Sequence, residues 1–145
     1  MADITLQQFL KKIDSLPREL VSKGGGPLLK AMRKEANAWR DQAAANLSGR
    51  GPGNLPKNAP KGLRLGQSIK VKLDAEPSRD GFDLRHFIGY EQKAYWGAFV
   101  ELGTIKQSAK PFLRPVIDQV GSGSIERIAA DVEKQIETIA RKAQN

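Results

Sequence analysis

Hydrophobic residues recur with helical spacing at both ends of the chain and alternate with polar residues in the middle. Three apolar stripes at intervals of three or four residues predict helices. Pro17 follows the first stripe, Pro27 opens the second at a position where its missing N–H needs no partner, and Ser124 can cap the third. The stripes comprise Leu6, Phe9, Leu10, Ile13 and Leu16; Leu28, Met32, Ala36, Trp39, Ala43 and Leu47; and Ile125, Ile128, Val132, Ile136, Ile139 and Ala143.

The alternating segment, residues 67–90, predicts a β-hairpin with a turn over residues 74–81. Helical segments on either side, residues 4–47 and 124–144, predict an α+β fold with helices packed on a small antiparallel sheet. Because an isolated hairpin is only marginally stable in water, we expect a further strand from elsewhere in the chain or from a neighbouring subunit. The apolar positions of the two strands are Ile69, Val71 and Leu73, then Phe82, Leu84, His86 and Ile88.

Residues 94–120 form a corner of two predicted short helices joined by a loop. The first helix, over residues 94–102, ends at Gly103 in a left-handed conformation, and Pro111 suits the first turn of the second. Each helix has apolar residues on one side, and this pattern predicts that the corner closes a hydrophobic core. The two apolar sides consist of Tyr95, Phe99 and Leu102 and of Phe112, Val116 and Val120.

The corner also contains a recognisable pattern, Tyr-x-x-x-Phe-Val-Glu-x-Gly-Thr, followed by a short polar loop and Pro-Phe-Leu-Arg-Pro-x-x-Asp. It resembles the tail-completion or head–tail joining (neck, minor tail) proteins of long-tailed bacteriophages. A weaker match lies upstream, between Gly62 and Ile69, and Leu102 stands where that family more often has an aromatic residue. The central residues of the match, which we call the assembly motif, are Tyr95, Phe99, Glu101, Gly103, Thr104, Pro111, Phe112, Arg114 and Pro115, and Val100, Leu113 and Asp118 match as well.

The resemblance implies a structural protein of the virion, located in the tail or neck and assembled in the host cytoplasm. Such a protein works without catalysis, forms a homo-oligomeric ring, most often a hexamer, and contacts other neck and tail proteins around a central channel. For this chain it implies assembly contacts at the motif, and we expect Arg114 to form a salt bridge within or between subunits. Termination of the tail tube in the same neck is the nearest alternative role.

Composition narrows the remaining possibilities. The 145 residues are expected to form a single domain, residues 1–145, and they include no cysteine, which excludes disulfides and cysteine metal sites and suits a reducing cytoplasm. No apolar run approaches the roughly 20 residues of a membrane-spanning helix. We expect no signal peptide at the N-terminus.

The net charge of +8 is unevenly distributed along the chain. Residues 42–75 carry six basic residues against one acid, a local charge of +5, and residues 48–66 read as a long loop rich in Gly, Pro and Asn. Such a basic loop can neutralise nucleic-acid phosphates, including genomic DNA in the channel, dock on an acidic protein, or simply be solvated. It has no aromatic residue for base stacking, which argues against recognition of single strands by this loop. The basic residues are Arg50, Lys57, Lys61, Arg64, Lys70 and Lys72.

The sequence assembles no catalytic, metal or cofactor site. His86, the only histidine, falls on the apolar side of a predicted strand, where a structural and hydrogen-bonded histidine is expected. Gly24–Gly26 precedes a helix but lacks the lysine and hydroxyl residue of a phosphate-binding loop. Glu101 has no catalytic partner, and we expect it to cap the backbone of residues 103–104 or to pair with Arg114. We therefore expect no enzyme.

Two main hypotheses of different kinds, and one minor one, remain at this point. The first is a structural joining protein of the phage neck, and the second is a small basic DNA-binding protein whose affinity falls steeply with salt. A bacterial-toxin-like enzyme is a third.

Overall fold

The computed structural model describes residues 26–48, 61–78 and 81–143, together with Gln7 and Lys11, which are helical and exposed. These residues confirm the predicted α+β class, because they are mostly helical and contain one antiparallel pair of strands. The first predicted stripe and most of the basic loop lie outside the described residues. In chain order the elements are α1 (Pro27–Leu47), α2 (Leu65–Ser68), β1 (Ile69–Ser78), β2 (Gly81–Tyr90), a 3-10 turn (Gln92–Ala94), α3 (Gly97–Leu102), α4 (Arg114–Val116), a π-helical turn (Ile117–Gly121) and α5 (Ser124–Ala143).

The long helices α1 and α5 begin close to the predicted positions. Pro27 is the first residue of α1, as its missing N–H led us to expect. Ser124 is the first residue of α5. Its hydroxyl donates to Glu35 Oε1 at 2.6 Å, while the carbonyl of Gly123 accepts the N–H of Arg127 at 3.0 Å.

The chain divides into two compact units, and α1 and the hairpin contribute residues to both. In the first unit, Lys34 Nζ lies 2.6 Å from Asp131 Oδ2, and Arg127 Nε donates to Glu35 Oε2 at 3.1 Å. These pairs are contacts between α1 and α5. The first unit comprises Met1–Glu35, Leu73–His86 and Gly123–Asn145, and the second comprises Ala36–Lys72 and Phe87–Ser122.

The core of the second unit joins α1, the hairpin and α4. Its centre consists of Ala43, Ile69, Phe112 and Val116, all of which are buried. One side of the sheet therefore faces helices, as the predicted packing requires. Half-buried hydrophobic residues surround this centre, namely Trp39, Ala44, Leu47, Leu65, Ile88, Tyr90, Val100, Leu113 and Val120.

The hairpin keeps one register from end to end. The N–H of Glu91 donates to the carbonyl of Ser68 at 2.9 Å, just before β1 and just after β2. At the other end β1 stops at residue 78 and β2 starts at residue 81, which is the same register. The pairing places Lys70 opposite Gly89 and Lys72 opposite Phe87.

The predicted turn over residues 74–81 is wrong in extent, because β1 continues to Ser78 and includes Pro77. A proline donates no ladder hydrogen bond, but both strands of a two-stranded sheet are edges, where proline is tolerated. The additional strand that we expected from the chain itself is not found among the described residues, where the sheet has two strands. No helix in this part of the chain is long and apolar enough to cross a membrane.

Candidate functional site

The two halves of the assembly motif meet at the carboxylate of Glu101. Its Oε2 accepts the backbone N–H of Phe112 at 2.7 Å and that of Leu113 at 3.0 Å. Its Oε1 accepts the N–H of Arg114, the first residue of α4, at 3.1 Å. Because the first N–H groups of a helix have no partners within the helix, one side chain satisfies the backbone at this helix start. Glu101 thus connects α3 to α4 across the loop between them.

Burial and hydrogen bonding shift the pKa of the Glu101 carboxyl group in opposite directions. Glu101 is only 8% exposed, and burial alone raises the pKa of a carboxyl group. The three backbone donors and the positive charge of Arg114 outweigh burial, so the pKa of Glu101 is lowered from its ordinary 4.5. The side chain is therefore ionised at neutral pH. The predicted cap on residues 103–104 is wrong, since the donors belong to residues 112–114.

The loop after α3 turns sharply at Gly103. Its φ of 78° is positive, as predicted, but its ψ of 177° places it outside the left-handed helical region. A Cβ on Gly103 would lie 2.7 Å from the backbone nitrogen of Ala109 and 3.0 Å from the carbonyl oxygen of Gln107. Thr104 and Gln107 close the loop with backbone hydrogen bonds of 2.8 and 3.2 Å. Only glycine fits this conformation and this space.

The second helix of the motif starts later than predicted. It begins at Arg114 with Pro115 in its first turn, whereas Pro111 is a half-buried residue of the preceding loop. The N–H groups of residues 112–114 donate to Glu101, which delays the helix start to the end of this cap. The Arg114 side chain is exposed and forms no ion pair within 4 Å among the described residues, although its positive charge contributes to lowering the pKa of Glu101.

The apolar side predicted for the first helix does not face the core. Tyr95, Phe99 and Leu102 are 45, 49 and 63% exposed, and Ile105 in the following loop is fully exposed. The rings of Tyr95 and Phe99 meet edge to face, with centroids 6.3 Å apart. We call these four residues the motif surface. The prediction that this stripe closes the core is wrong, whereas the prediction for Phe112 and Val116 is confirmed.

The buried side of the same segment consists of residues that hydrophobic periodicity did not single out. Ala94, Trp96, Gly97 and Glu101 are buried. A Cβ on Gly97 would lie 2.9 Å from the ring of Tyr90, so the segment approaches the core more closely than a larger residue would allow. The spacing of Ala94 and Gly97 was the available signal, because small residues three apart can mark a closely packed helix face.

The basic residues are described only in part. Lys70 and Lys72 alternate with core residues along β1, and Lys70 Nζ lies 4.0 Å from Glu91 Oε1. Both of those side chains are largely in water, so this ion pair is weak. Exposed Phe87 lies opposite Lys72, an aromatic neighbour that sequence reasoning did not connect with the basic segment. Lys61, Arg64, Lys70 and Lys72 are exposed, while Arg50 and Lys57 lie outside the described residues.

His86 lies in β2, and both of its ring nitrogens are buried without a hydrogen-bond partner among the described residues. The expected hydrogen bonding is therefore not found there. Burial, and then the positive charge of Arg33, lower the pKa of His86 from its ordinary 6.5. Within the described ranges no group of three or more His, Cys, Asp or Glu side chains could hold a metal ion.

The structure brings most of the motif together and leaves part of it at the surface. Comparisons with models of protein families, with curated proteins and with solved structures find no match to this chain. The motif residues that are buried or half-buried are Glu101, Gly103, Pro111, Phe112 and Pro115, and those that are exposed are Tyr95, Phe99, Thr104 and Arg114.

Proposed function

We propose that this chain is a non-catalytic structural protein of a long-tailed bacteriophage virion, which joins head and tail at the neck as part of a homo-oligomeric ring. Its partners in this proposal are further copies of itself, in the hexamer that the resemblance implies, and other neck and tail proteins. Tail completion is the favoured role, and termination of the tail tube in the same neck is the alternative.

The observation that carries the proposal is the exposure of the motif surface. Single exposed hydrophobic residues are common on proteins, but here the exposed residues belong to one short segment. Tyr95 lies just before α3, Phe99 and Leu102 lie in it, and Ile105 lies in the loop after it. Exposed apolar residues gathered in one segment are typical of a docking site, and the rings of Tyr95 and Phe99 are in contact. Because Tyr95, Phe99, Leu102 and Ile105 lie within or beside the motif that resembles joining proteins, we assign the surface to contact between neighbouring copies in the ring.

The contacts below the motif surface support this role. The Glu101 carboxylate joins α3 to α4, and the turn at Gly103 fixes the path of the loop that carries Ile105. A surface that is ordered before it binds loses less conformational entropy on association. The buried half of the motif thus holds the exposed half in place, which gives the local pattern a structural role.

The experiment that tests self-association is light scattering after size exclusion, at low and moderate salt, on the wild type and on Leu102→Asp. We expect a mass near that of the ring for the wild type and a monomer for the variant, because a buried carboxylate at an apolar contact has no partner. Ile117→Asp is the matched control, since Ile117 is 60% exposed against 63% for Leu102 and lies on a different helix turn. Rings that persist in Leu102→Asp would contradict the assignment.

A wild-type monomer would shift the test to joining itself. Heads and tails made in the absence of the protein would be mixed with the wild type, Leu102→Asp or Ile117→Asp, and infectious particles counted. We expect the wild type and the control to restore joining and Leu102→Asp to fail. Equal yields with all three proteins would contradict a role of the motif surface in the neck.

The second candidate function, a small basic DNA-binding protein, is favoured by the exposed lysines of β1. It predicts a monomer or dimer that binds free duplex with an affinity that falls steeply as salt rises. Tight duplex binding by a monomer that does not restore joining would favour this candidate over the neck protein.

A further inference from the structure

The outer side of the hairpin in the second unit is an open, basic face with an aromatic residue. Ile69 and Ile88 point into the core, so the residues that alternate with them point outward. Two of these come from β1 and two from β2, and the register places them directly opposite each other. We call this set the hairpin platform: Lys70, Lys72, Phe87 and Gly89.

The platform combines one exposed aromatic residue with two exposed lysines on the same side of the sheet. Phe87 is 53% exposed, and directly opposed residues of antiparallel strands have Cβ atoms about 5 Å apart. Lys72 and Phe87 are therefore cross-strand neighbours at the level of their Cβ atoms. Lys70 lies two residues further along β1, on the same side of the sheet, and 58% of its side chain is exposed.

The platform is not covered beside the ring. A Cβ built on Gly89 would meet no heavy atom within 4 Å, and Gly89 lies two residues from Phe87 on the same side of β2. Bare backbone next to an exposed ring leaves room for a flat group to lie on the sheet. A larger residue would fit at position 89 without a clash, so close packing does not explain the glycine.

We propose that the hairpin platform binds single-stranded nucleic acid, with a base stacked on Phe87 and the phosphates beside it paired with Lys70 and Lys72. Stacking on exposed aromatic residues and pairing of phosphates with lysine are the two contacts by which proteins bind single strands without sequence preference. The net charge of +8 attracts a polyanion to the chain. This activity goes beyond the joining function, and it involves no residue of the motif surface.

The ring distinguishes this ligand from other polyanions. A duplex keeps its bases stacked inside the helix, so it could use the lysines but not Phe87. An acidic protein would also pair with the lysines and has no flat base to stack. Glu91 limits the charge at one end of the platform, because its carboxylate lies 4.0 Å from Lys70 Nζ.

The test is fluorescence anisotropy with a labelled oligothymidylate of about 16 nucleotides, the upper site size for such surfaces, at several salt concentrations. We expect Phe87→Leu, which keeps an apolar side chain but removes the ring, to weaken binding about tenfold. Lys72→Gln should weaken binding and reduce the slope of log affinity against log salt by about 0.7, the value for one phosphate on a single strand. Lys134→Gln, a change of the same charge at an exposed position on α5, is the control and should leave the slope unchanged.

Two further variants test the platform without removing its ring or its lysines. Gly89→Val should weaken binding, because its side chain would cover the space beside Phe87 while a β-branched residue suits the strand. Glu91→Gln should strengthen binding, because it removes the negative charge beside Lys70. Thermal unfolding of each variant separates loss of binding from loss of folding.

Three results would overturn the proposal. The first is no binding of the oligothymidylate by the folded wild type. The second is an equal loss with Lys134→Gln and Lys72→Gln together with no effect of Phe87→Leu, which would show attraction to the overall charge only. The third is equal or tighter binding of duplex DNA or of poly-aspartate in competition, with the same response to the variants, which would assign the lysines to a different polyanion.

Discussion

The assembly motif contains two rows of apolar residues with the same spacing, one of which is buried while the other is exposed. Phe112 and Val116 are 0 and 3% exposed and lie at the centre of a core. Tyr95 and Phe99 repeat at the same interval of four residues, yet about half of each side chain is exposed. Periodicity thus identifies an apolar face of a helix, but it does not say whether the same chain covers that face.

The difference separates the residues that fold the motif from those that are available to a partner. On the α4 side Phe112 and Val116 are buried. On the α3 side Ala94, Trp96 and Gly97 are buried, while Tyr95, Phe99 and Leu102 are left outside. An exposed row of large apolar residues beside a separate buried row is therefore the feature to look for when a motif is suspected of assembly. The following variants test that separation, from the largest expected effect to the smallest.

The largest difference in the free energy of unfolding is expected between two variants, each of which removes one aromatic ring from one of the two rows. Phe112→Ala should lower the free energy of unfolding by about 3–5 kcal/mol, because it removes a fully buried aromatic side chain and leaves a cavity. Phe99→Ala, its matched partner in the exposed row, should change it by about 0.5 kcal/mol or less, as surface substitutions do. Urea unfolding followed by circular dichroism measures both. Similar losses for the two variants would mean that the exposed row is part of the core.

The next largest loss of stability should come from replacing the Glu101 carboxylate, which connects the two rows. Glu101→Gln keeps the shape of the side chain but removes its charge, and hydrogen bonds to charged groups contribute about 1.5–3 kcal/mol. We expect a loss of about 2–3 kcal/mol in urea unfolding. The amide of glutamine also presents a donor where the backbone N–H groups need acceptors.

The control for the carboxylate is Glu137→Gln, which makes the same chemical change at an exposed position of α5 and should have little effect. Limited proteolysis should show faster cleavage of the loop over residues 104–110 in Glu101→Gln. A variant as stable and as resistant as the wild type would mean that the cap does not hold the two rows together.

A smaller effect should come from the glycine that turns the loop. Gly103→Ala should cost about 2 kcal/mol, because alanine is strained at a positive φ and its Cβ would contact backbone atoms of Ala109 and Gln107. Gly62→Ala isolates the strain, since Gly62 has a φ of 80° but no heavy atom within 4 Å of an added Cβ. We expect about 1 kcal/mol there. Equal losses in thermal unfolding would show that the contact inside the loop is unimportant.

Much of the fold could be predicted from the sequence, because its long helices and its hairpin depend on local patterns. Pro27 marks a helix start through its own chemistry, and Ile69 lies in the core because strand alternation is strict. The predictions that failed depend on residues distant in the chain. The donors that Glu101 accepts are 11–13 residues away, and the burial of Gly97 depends on Tyr90. Neither contact is contained in a local pattern.

The same reason explains what was missed on the surface. The basic loop was judged to lack an aromatic residue for base stacking. The aromatic residue near the basic segment is Phe87, which is 15 positions from Lys72 in the chain and becomes its neighbour only through the register of the hairpin. Register was not fixed by the alternation alone, since the extent of the turn was wrong. The position of Ser78 and Gly81 at the end of the strands supplied it.

The smallest effect is a pH dependence of the free energy of unfolding, which distinguishes the contribution of the Glu101 carboxylate from other contributions. The pKa of Glu101 is lowered from 4.5 in the fold, so the unfolded chain binds more protons between the folded value and 4.5. Its contribution to the free energy of unfolding is therefore complete above 4.5 and is lost as the pH falls through the folded value. The pKa of His86 is also lowered, from 6.5. The contribution of His86 to the free energy of unfolding therefore declines as the pH falls below 6.5.

Comparing the wild type with Glu101→Gln removes the His86 contribution, because both proteins contain that histidine. We expect the stability difference between the two proteins to be constant from about pH 7 down to about pH 5 and to shrink below 4.5, where the wild-type carboxylate becomes protonated. Urea unfolding at a series of pH values measures it. A difference that stays constant down to about pH 3 would mean that the charge on Glu101 does not stabilise the start of α4, and that packing of Ala94, Trp96 and Gly97 holds the exposed row in place.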